Sequence, residues 1–200
     1  MTKRMFLALA TTLAALAVWA PSQAATARWQ VRPGEGTRVE FVSKAPLETF
    51  TGKTSQVSGA CTCDLGKLAG EVTLAVAVDM ATLDTGLSKR NQHMRENHLH
   101  TDRYPQAWLR GGVLKAVGAT ALPVGGAVSV EFSGELDLHG VRRPVVVPLQ
   151  LTRPTENALV AVGEFPVRLA DYGIPRPQVL LMKLAEEQRV RVSITLERTP

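Results

Sequence analysis

Three of the four histidines in the chain lie in one short polar segment, at His93, His98 and His100. Histidine can bind a metal ion or transfer a proton near neutral pH. In a regular helix from Leu87 to Leu99, at about 100° per residue, His93 and His98 point about 140° apart and cannot share one ion. His98 and His100 could chelate an ion only if the helix ended between them. Because no third ligand is evident nearby, we interpret the segment as a helix with solvated histidines and predict no metal site.

A catalytic role for these histidines finds no support in the rest of the sequence. A histidine that acts as an acid or base needs an oriented partner within hydrogen-bond reach. The chain contains no Gly-x-Ser-x-Gly, no His-Glu-x-x-His and no phosphate-binding glycine loop. The sequence therefore predicts a binding protein and not an enzyme.

Cysteine chemistry is the second possibility that the sequence raises, because both cysteines lie in Cys61-Thr62-Cys63. On a β-strand the two side chains share a face, but residues two apart place their Cα atoms near the upper limit for a disulfide. A strained, reducible disulfide and two unpaired thiols therefore both remain open. No Cys-x-x-Cys motif is present, so we do not predict thiol–disulfide exchange.

The N-terminal residues have the pattern of a secretory leader. Lys3 and Arg4 precede an apolar run, Met5–Trp19, which is too short to span a bilayer comfortably, and small residues follow it. We predict a signal peptide over residues 1–24 and one mature domain over 25–200, located in the periplasm. Loss of the two leader cations lowers the formal charge from +5 to +3. That excess, without a basic block, does not indicate a nucleic-acid partner.

Alternation of apolar and polar residues dominates the mature chain. It is clearest in Thr37–Ser43, Ala127–Leu138 and Gln188–Glu197, which we predict to be strands with one apolar face. Glu71–Asp79 alternates large with small residues, so Ala75 and Ala77 should lie beneath a covering element such as the histidine helix. Further strand candidates are Arg28–Arg32, Phe50–Ser58, Ala107–Val117, Arg143–Thr152 and Asn157–Phe165.

About nine or ten such strands, separated by short turns, predict an all-β fold, either an antiparallel sandwich or a barrel. Helix is expected in two places only, over Leu87–Leu99 and in a short piece near Ala170–Tyr172.

An ordered set of motifs resembles the YceI family of exported proteins over essentially the whole mature chain. The motifs are Asp-Thr-Gly, then Arg-x-x-His-Met, then Tyr-Pro, then Leu-x-Gly-x-x-x-Pro. The four motifs lie, in order, within Val76–Gly86, Arg90–Met94, Tyr104–Pro105 and Gly134–Pro144, and the segment Phe165–Ile174 also contributes to the resemblance. Two features depart from the family pattern: Asn91 stands where an acidic residue is common, and the cysteine pair is not a family feature.

The resemblance implies an antiparallel, eight-stranded, lipocalin-like β-barrel with one short helix packed alongside. It implies a long apolar cavity that holds a polyisoprenoid, a quinone-like molecule or another long-chain lipid, with no cofactor. It also implies a stress-response role and a membrane partner of the cytochrome b561 type. A homodimer is left open.

The composition agrees with an open interior. An eight-stranded barrel is just wide enough to be filled by side chains or to hold one slender ligand. Aromatic residues make up 5% of the chain, and the strands are rich in Val, Ala and Leu. Closed packing is the alternative. The candidate lining residues are Phe41, Phe50, Val57, Val72, Leu74, Val76, Val78, Trp108, Phe132, Leu136, Phe165, Val192 and Ile194. Arg95 and Tyr104 are candidates for holding a polar head group.

The sequence thus predicts an exported protein that binds a lipid without catalysis. One alternative is a periplasmic redox or metal-dependent protein that uses Cys61 and Cys63 or His98 and His100. Another is a stress-response partner of a membrane cytochrome, in which the lipid is incidental.

Overall fold

The structure is a computed structural model and describes residues 26–34, 36–44, 48–179 and 182–199. The predicted signal peptide lies outside these residues and stays a prediction. Within the described ranges, no helix combines the length and apolar character needed to cross a bilayer.

Strands form most of the described chain, as the alternation predicts. They are β1 (Ala27–Val31), β2 (Arg38–Lys44), β3 (Thr49–Thr54), β4 (Val57–Cys63), β5 (Gly70–Glu71), β6 (Thr73–Asp79), β7 (Gln106–Val117), β8 (Ala127–Leu138), β9 (Val141–Thr155), β10 (Ala158–Arg168), β11 (Gln178–Val179), β12 (Met182–Lys183) and β13 (Glu187–Arg198). Helix α1 (Ser88–Met94) continues as a π-helical turn, Arg95–Leu99. Single 3₁₀ turns occupy Met80–Thr82 and Leu169–Tyr172. Both predicted helical regions are therefore present.

Eight strands close into an antiparallel barrel, and this settles the choice between sandwich and barrel. The ring runs β1-β4-β6-β7-β8-β9-β10-β13 and returns to β1. The closing contact pairs Trp29 with Arg198 and Val31 with Leu196. The earlier part of β13 pairs instead with β2, so β2 and β3 extend the wall as a hairpin. All-β architecture with eight barrel strands and one short helix is confirmed.

The prediction of one strand over Phe50–Ser58 is wrong. β3 ends at Thr54, and β4 begins at Val57 after the two residues Ser55 and Gln56. The Gln56 amide donates to Oγ1 of Thr54 over 3.0 Å, which stabilises the bend. The break is needed because β3 pairs only with β2, whereas β4 must reach β1 and β6 to continue the barrel.

One end of the barrel is filled. The loop after β4 and the loop after β7 cover it, and they are joined by backbone hydrogen bonds from Leu68 to Thr120 (2.9 Å) and from Leu122 to Leu65 (2.7 Å). Leu68 and Leu122 are fully buried and pack with Trp29 in the core. Helix α1 lies at the opposite end, between β6 and β7.

The sequence analysis expected helix α1 to cover the small residues of β6, and this expectation is wrong. Buried Ala77 instead has Trp108 of β7 as its cross-strand neighbour. Met94 and Leu99 of the helical segment border the barrel interior, and so does Val76 of β6. Successive residues of a strand face opposite sides of the sheet, so the helix packs over the face opposite to Ala77.

Candidate functional site: an apolar cavity inside the barrel

A cavity of about 500 Å³ lies inside the barrel. Apolar side chains of the barrel strands form most of its wall. Residues of α1 and its π-helical turn border it at one end. The packed loops fill the other end of the barrel. The interior is therefore a one-ended, apolar space of the size of ordinary small-molecule sites.

Most residues that we predicted to line a cavity do border it. They are Phe41, Phe50, Val72, Leu74, Val76, Val78, Trp108, Phe132, Leu136, Phe165, Val192 and Ile194. Contact of these residues with a ligand stays a prediction. Trp108 adjoins the cavity, but its ring does not project into it: the ring stacks beneath the guanidinium of Arg110 (4.1 Å), and Trp108 pairs with Ala77 on the outer face. Val57 does not border the cavity; it is only 1% exposed and packs within the solid core.

Glycines keep the cavity open around Phe132. A Cβ atom at Gly134 would lie 2.5 Å from Cζ of Phe132, and a Cβ at Gly112 would overlap the same ring. Gly112 lies at an irregularity in the pairing of β7 with β8 and has a φ of +122°, which L side chains rarely adopt. The two glycines form a notch that lets the Phe132 ring lie against the wall. Without this notch, the ring would have to project into the bore.

Several wall residues escaped the sequence analysis. They come from strands whose faces were not assigned there, and include Leu109, Leu114, Val147, Leu149, Leu159 and Ala161. Simple alternation could have identified Leu149, which lies between Pro148 and Gln150. It could not have identified Val147, Leu159 or Ala161, because apolar residues flank them as well.

Cys61 and Cys63 also border the cavity, which the sequence analysis did not predict. Both are buried free thiols. The neighbouring sulfur of Cys63, followed by burial, raises the pKa of Cys61, and the same contact lowers the pKa of Cys63.

The histidines form two separate pairs. The rings of His93 and His98 lie 5.0 Å apart, so the expectation that they diverge is wrong. The π-helical turn aligns residues five apart, which a regular α-helix does not. His100 ends the helix with a φ of +45°, and its Nδ1 lies 2.9 Å from Nε2 of His139. Among the described residues, no group of three His, Cys, Asp or Glu side chains could hold a metal ion.

His98 is held by one hydrogen bond to the backbone. Its Nδ1 lies 2.9 Å from the carbonyl oxygen of Pro175, and because that oxygen can only accept, Nδ1 carries the proton. Burial lowers the pKa of His98, although the Pro175 contact opposes this, and nearby His93 and His100 lower it further. Nε2 is buried and has no hydrogen-bond partner within the described part of the chain, and the residue borders the cavity.

Neither predicted head-group residue borders the cavity. Arg95 donates to the backbone oxygen of Ala81 over 3.3 Å. The Tyr104 ring packs 4.5 Å from the ring of His139, in close contact with Gly140. Both side chains thus tie the helical segment to the barrel and lie away from the bore. The polar residues that border the cavity are Glu40, Ser43, Glu48, Arg90, His93, His98 and Gln188.

Arg90 is fully engaged by its neighbours. It pairs with Glu48 over 2.8 Å, donates to Oγ1 and to the backbone oxygen of Thr85 over 2.9 Å each, and lies over the Phe50 ring at 4.1 Å. These contacts attach the start of the helix to β3. The salt bridge is partly exposed, so its role is to position the helix more than to add stability.

Comparison with known proteins agrees with this architecture. The YceI-like domain model matches residues 29–197, and the chain belongs to the YceI family. A polyisoprenoid-binding domain from Saccharophagus degradans, implicated in plant cell wall breakdown, superposes with a TM-score of 0.66 at 19% identity, covering 88% of this chain and all of that one. BcnA of Burkholderia cenocepacia gives 0.64 at 19% identity, covering 80% and 95%.

The YceI protein of Campylobacter jejuni gives a TM-score of 0.58 at 12% identity, covering 74% of this chain and 85% of its own. At these identities the structural likeness establishes the fold. No curated protein sequence matches closely enough to add to the comparison.

Proposed function

We propose that this protein is an exported, non-catalytic carrier that holds a polyisoprenoid, a quinone-like molecule or another long-chain lipid inside its barrel. The observation that carries the proposal is the cavity of about 500 Å³, apolar along its wall and filled at one end. Membership of the YceI family supports it, as does the likeness to a domain described as polyisoprenoid-binding.

The energetics of such a site suit transfer. Burial of one CH₂ group stabilises by roughly 0.8 kcal/mol relative to water, so each five-carbon isoprene unit gains several kcal/mol on leaving water. A long prenyl chain would exceed any observed affinity if water were its starting point. The true competitor is a bilayer, where the chain is already in an apolar environment. Exchange between bilayer and barrel is then nearly neutral, which favours uptake and release.

The periplasm is the proposed location, on the basis of the predicted leader. Export predicts that the mature protein begins at residue 25, and intact-protein mass spectrometry of the purified protein measures this. The proposed partner is a membrane cytochrome of the b561 type, from which the lipid would be received or to which it would be delivered. Affinity capture from detergent-solubilised membranes tests this partner, and capture of no such cytochrome would remove it from the proposal. Size-exclusion chromatography with light scattering would distinguish a monomer from a homodimer.

Mass spectrometry of organic extracts tests the lipid. The full chain, expressed with its leader and purified without detergent, should carry a long-chain lipid in about one-to-one ratio. Ala161 borders the cavity, whereas the next residue, Val162, is 48% exposed on the outer face. Ala161→Trp should lose the lipid because it fills the bore, and Val162→Trp should retain it. Extracts repeatedly free of lipid, or equal retention by the two variants, would contradict the proposal.

A further inference from the structure

We infer that the helix end of the cavity contains a polar subsite, formed by Ser43, Gln188 and His98, that binds the hydroxyl group of a lipid alcohol or a hydroquinone. The inference rests on the proposed function, because the lipid chain must occupy the cavity for its head to reach this end. It adds the chemical class of the head group and the residues that recognise it.

Ser43 is the first part of the subsite. Its side chain is 0% exposed and borders the cavity, and its Oγ has no hydrogen-bond partner among the residues that the structure describes. A buried hydroxyl without a partner is unfavourable, and native proteins pair nearly all such groups. The hydroxyl lies in a wall that is otherwise apolar, so a ligand in the cavity can supply the missing partner.

Gln188 lies beside Ser43. β13 pairs antiparallel with β2 in a register that places Arg189 opposite Val42, and one more step places Gln188 opposite Ser43. Gln188 is 7% exposed and also borders the cavity. Its Nε2 donates to the backbone oxygen of Ala185 over 2.7 Å, which fixes the amide. Gln188 can then offer a ligand Oε1 as an acceptor and the second N–H of Nε2 as a donor.

His98 borders the cavity from the helical segment, and a series of hydrogen bonds to the backbone connects it with Gln188. Its Nδ1 donates to Pro175, two residues before Pro177, whose carbonyl oxygen accepts from the Leu184 amide over 3.0 Å. The next residue, Ala185, is the one that holds the Gln188 amide. Pro177 and Leu184 themselves border the cavity. The unpartnered Nε2 of His98 is an acceptor because Nδ1 holds the proton.

The donor and acceptor types select the head group. Nε2 of His98 offers only an acceptor, whereas the Ser43 hydroxyl and the Gln188 amide can each donate or accept. A ligand hydroxyl can donate to His98 and accept from Ser43 at the same time. A quinone carbonyl can only accept, so it would leave Nε2 of His98 unpaired. The site therefore favours an alcohol or a hydroquinone over an oxidised quinone.

The charges at the cavity exclude a phosphorylated head. Among the described residues that border it, Arg90 is the one arginine, no lysine is present, and Arg90 is already bound to Glu48 and Thr85. Glu40 and Glu48 add negative charge. A phosphate would be desolvated there without a free cation, which is strongly unfavourable.

Competition binding with three probes of equal chain length tests the inference: geranylgeraniol, geranylgeranyl monophosphate and the hydrocarbon without the hydroxyl. Each displaces a fluorescent long-chain probe from the delipidated mature protein. We expect the alcohol to bind about fivefold to tenfold more tightly than the hydrocarbon, the range that one or two hydrogen bonds provide. The monophosphate should bind more weakly than the alcohol. A second arm compares a short-tailed hydroquinone with its quinone and should favour the hydroquinone.

Ser43→Ala should reduce the preference for alcohol over hydrocarbon by about fivefold. Since it removes only an unpartnered hydroxyl from an apolar wall, it should not lower the urea midpoint. Ser58→Ala, at an exposed position of β4, is the matched control and should keep the full preference. Equal binding of alcohol and hydrocarbon, tighter binding of the monophosphate, or an unchanged preference in Ser43→Ala would overturn the subsite and leave the carrier function standing. Failure of all three probes to bind would overturn the carrier function itself.

Discussion

Nδ2 of Asn91 donates a hydrogen bond to Oδ1 of Asp84 over 2.7 Å. Oδ1 of Asn91 accepts from the backbone amide and from the hydroxyl of Thr85, over 2.8 and 2.7 Å. The contact with Asn91, followed by that from the Gly86 amide, lowers the pKa of Asp84. Asn91 thus binds the loop before the helix with both ends of its amide. A carboxylate at this position could not donate to Asp84.

Asn91→Asp should therefore destabilise the protein. The new carboxylate would face Asp84 at hydrogen-bond distance and would lose a donor at a buried site, at a cost of about 1–3 kcal/mol. Urea unfolding followed by circular dichroism measures the change. Asn97→Asp, on the exposed side of the same helical segment, is the control and should change stability little. Equal effects of the two substitutions would mean that Asn91 does not have this role.

Gly134→Ala should close part of the bore. The added Cβ would displace the Phe132 ring from its notch toward the cavity or strain the wall, and overpacking of this kind typically costs about 1–3 kcal/mol. We expect less bound lipid per protein and a lower urea midpoint. Addition of Phe132→Leu should restore part of both, since the smaller side chain frees the space. Ser133→Ala, on the exposed face, should alter neither quantity. Unchanged lipid content in Gly134→Ala would show that the notch does not keep the cavity open.

The thiols of Cys61 and Cys63 should report on cavity occupancy. Both are buried at the wall, so a small uncharged maleimide should modify them faster after delipidation than before it. A charged reagent of similar reactivity should modify both forms slowly, because it must enter an apolar space. Intact-protein mass spectrometry follows both reactions, and urea-unfolded protein gives the full rate. Rates independent of lipid would contradict this placement. A disulfide that cycles during turnover would favour the redox alternative.

Stability should fall as the pH falls below about 6.5, the ordinary pKa of histidine. Burial lowers the pKa of His98 in the folded state, so the unfolded chain binds the proton more readily. The contribution is complete above that pH and is lost progressively toward the lower folded-state pKa. His93 and His100 are the titratable neighbours that reinforce this direction. Urea midpoints between pH 8 and pH 5 measure the dependence, and His98→Gln should flatten it. An equally steep dependence in that variant would assign the effect to other groups.

Local alternation was enough to predict most strands and the apolar faces of β2, β6, β8 and β13, because side chains alternate along every strand regardless of its partners. The break at Ser55–Gln56 was not predictable in this way, since it follows from which strands must pair. The meeting of His93 with His98 was missed because it depends on a π-helical turn, which is a departure from the regular helix that spacing arguments assume.

The proposed polar subsite could not be predicted from the sequence for a related reason. The residues of the proposed subsite, Ser43, Gln188 and His98, come from β2, β13 and the helical segment, and their separate sequence contexts do not relate them to one another. Arg95 and Tyr104 were chosen for chemical type and chain position, and the fold assigns them to the attachment of the helix.

The loops packed around Leu68 and Leu122 have a consequence for ligand entry and release. These loops fill one end of the barrel, so a lipid held as we propose would enter and leave through the helix end. Its tail would enter first, and its polar head would leave first. Loading and unloading would then both take place at the same end of the protein.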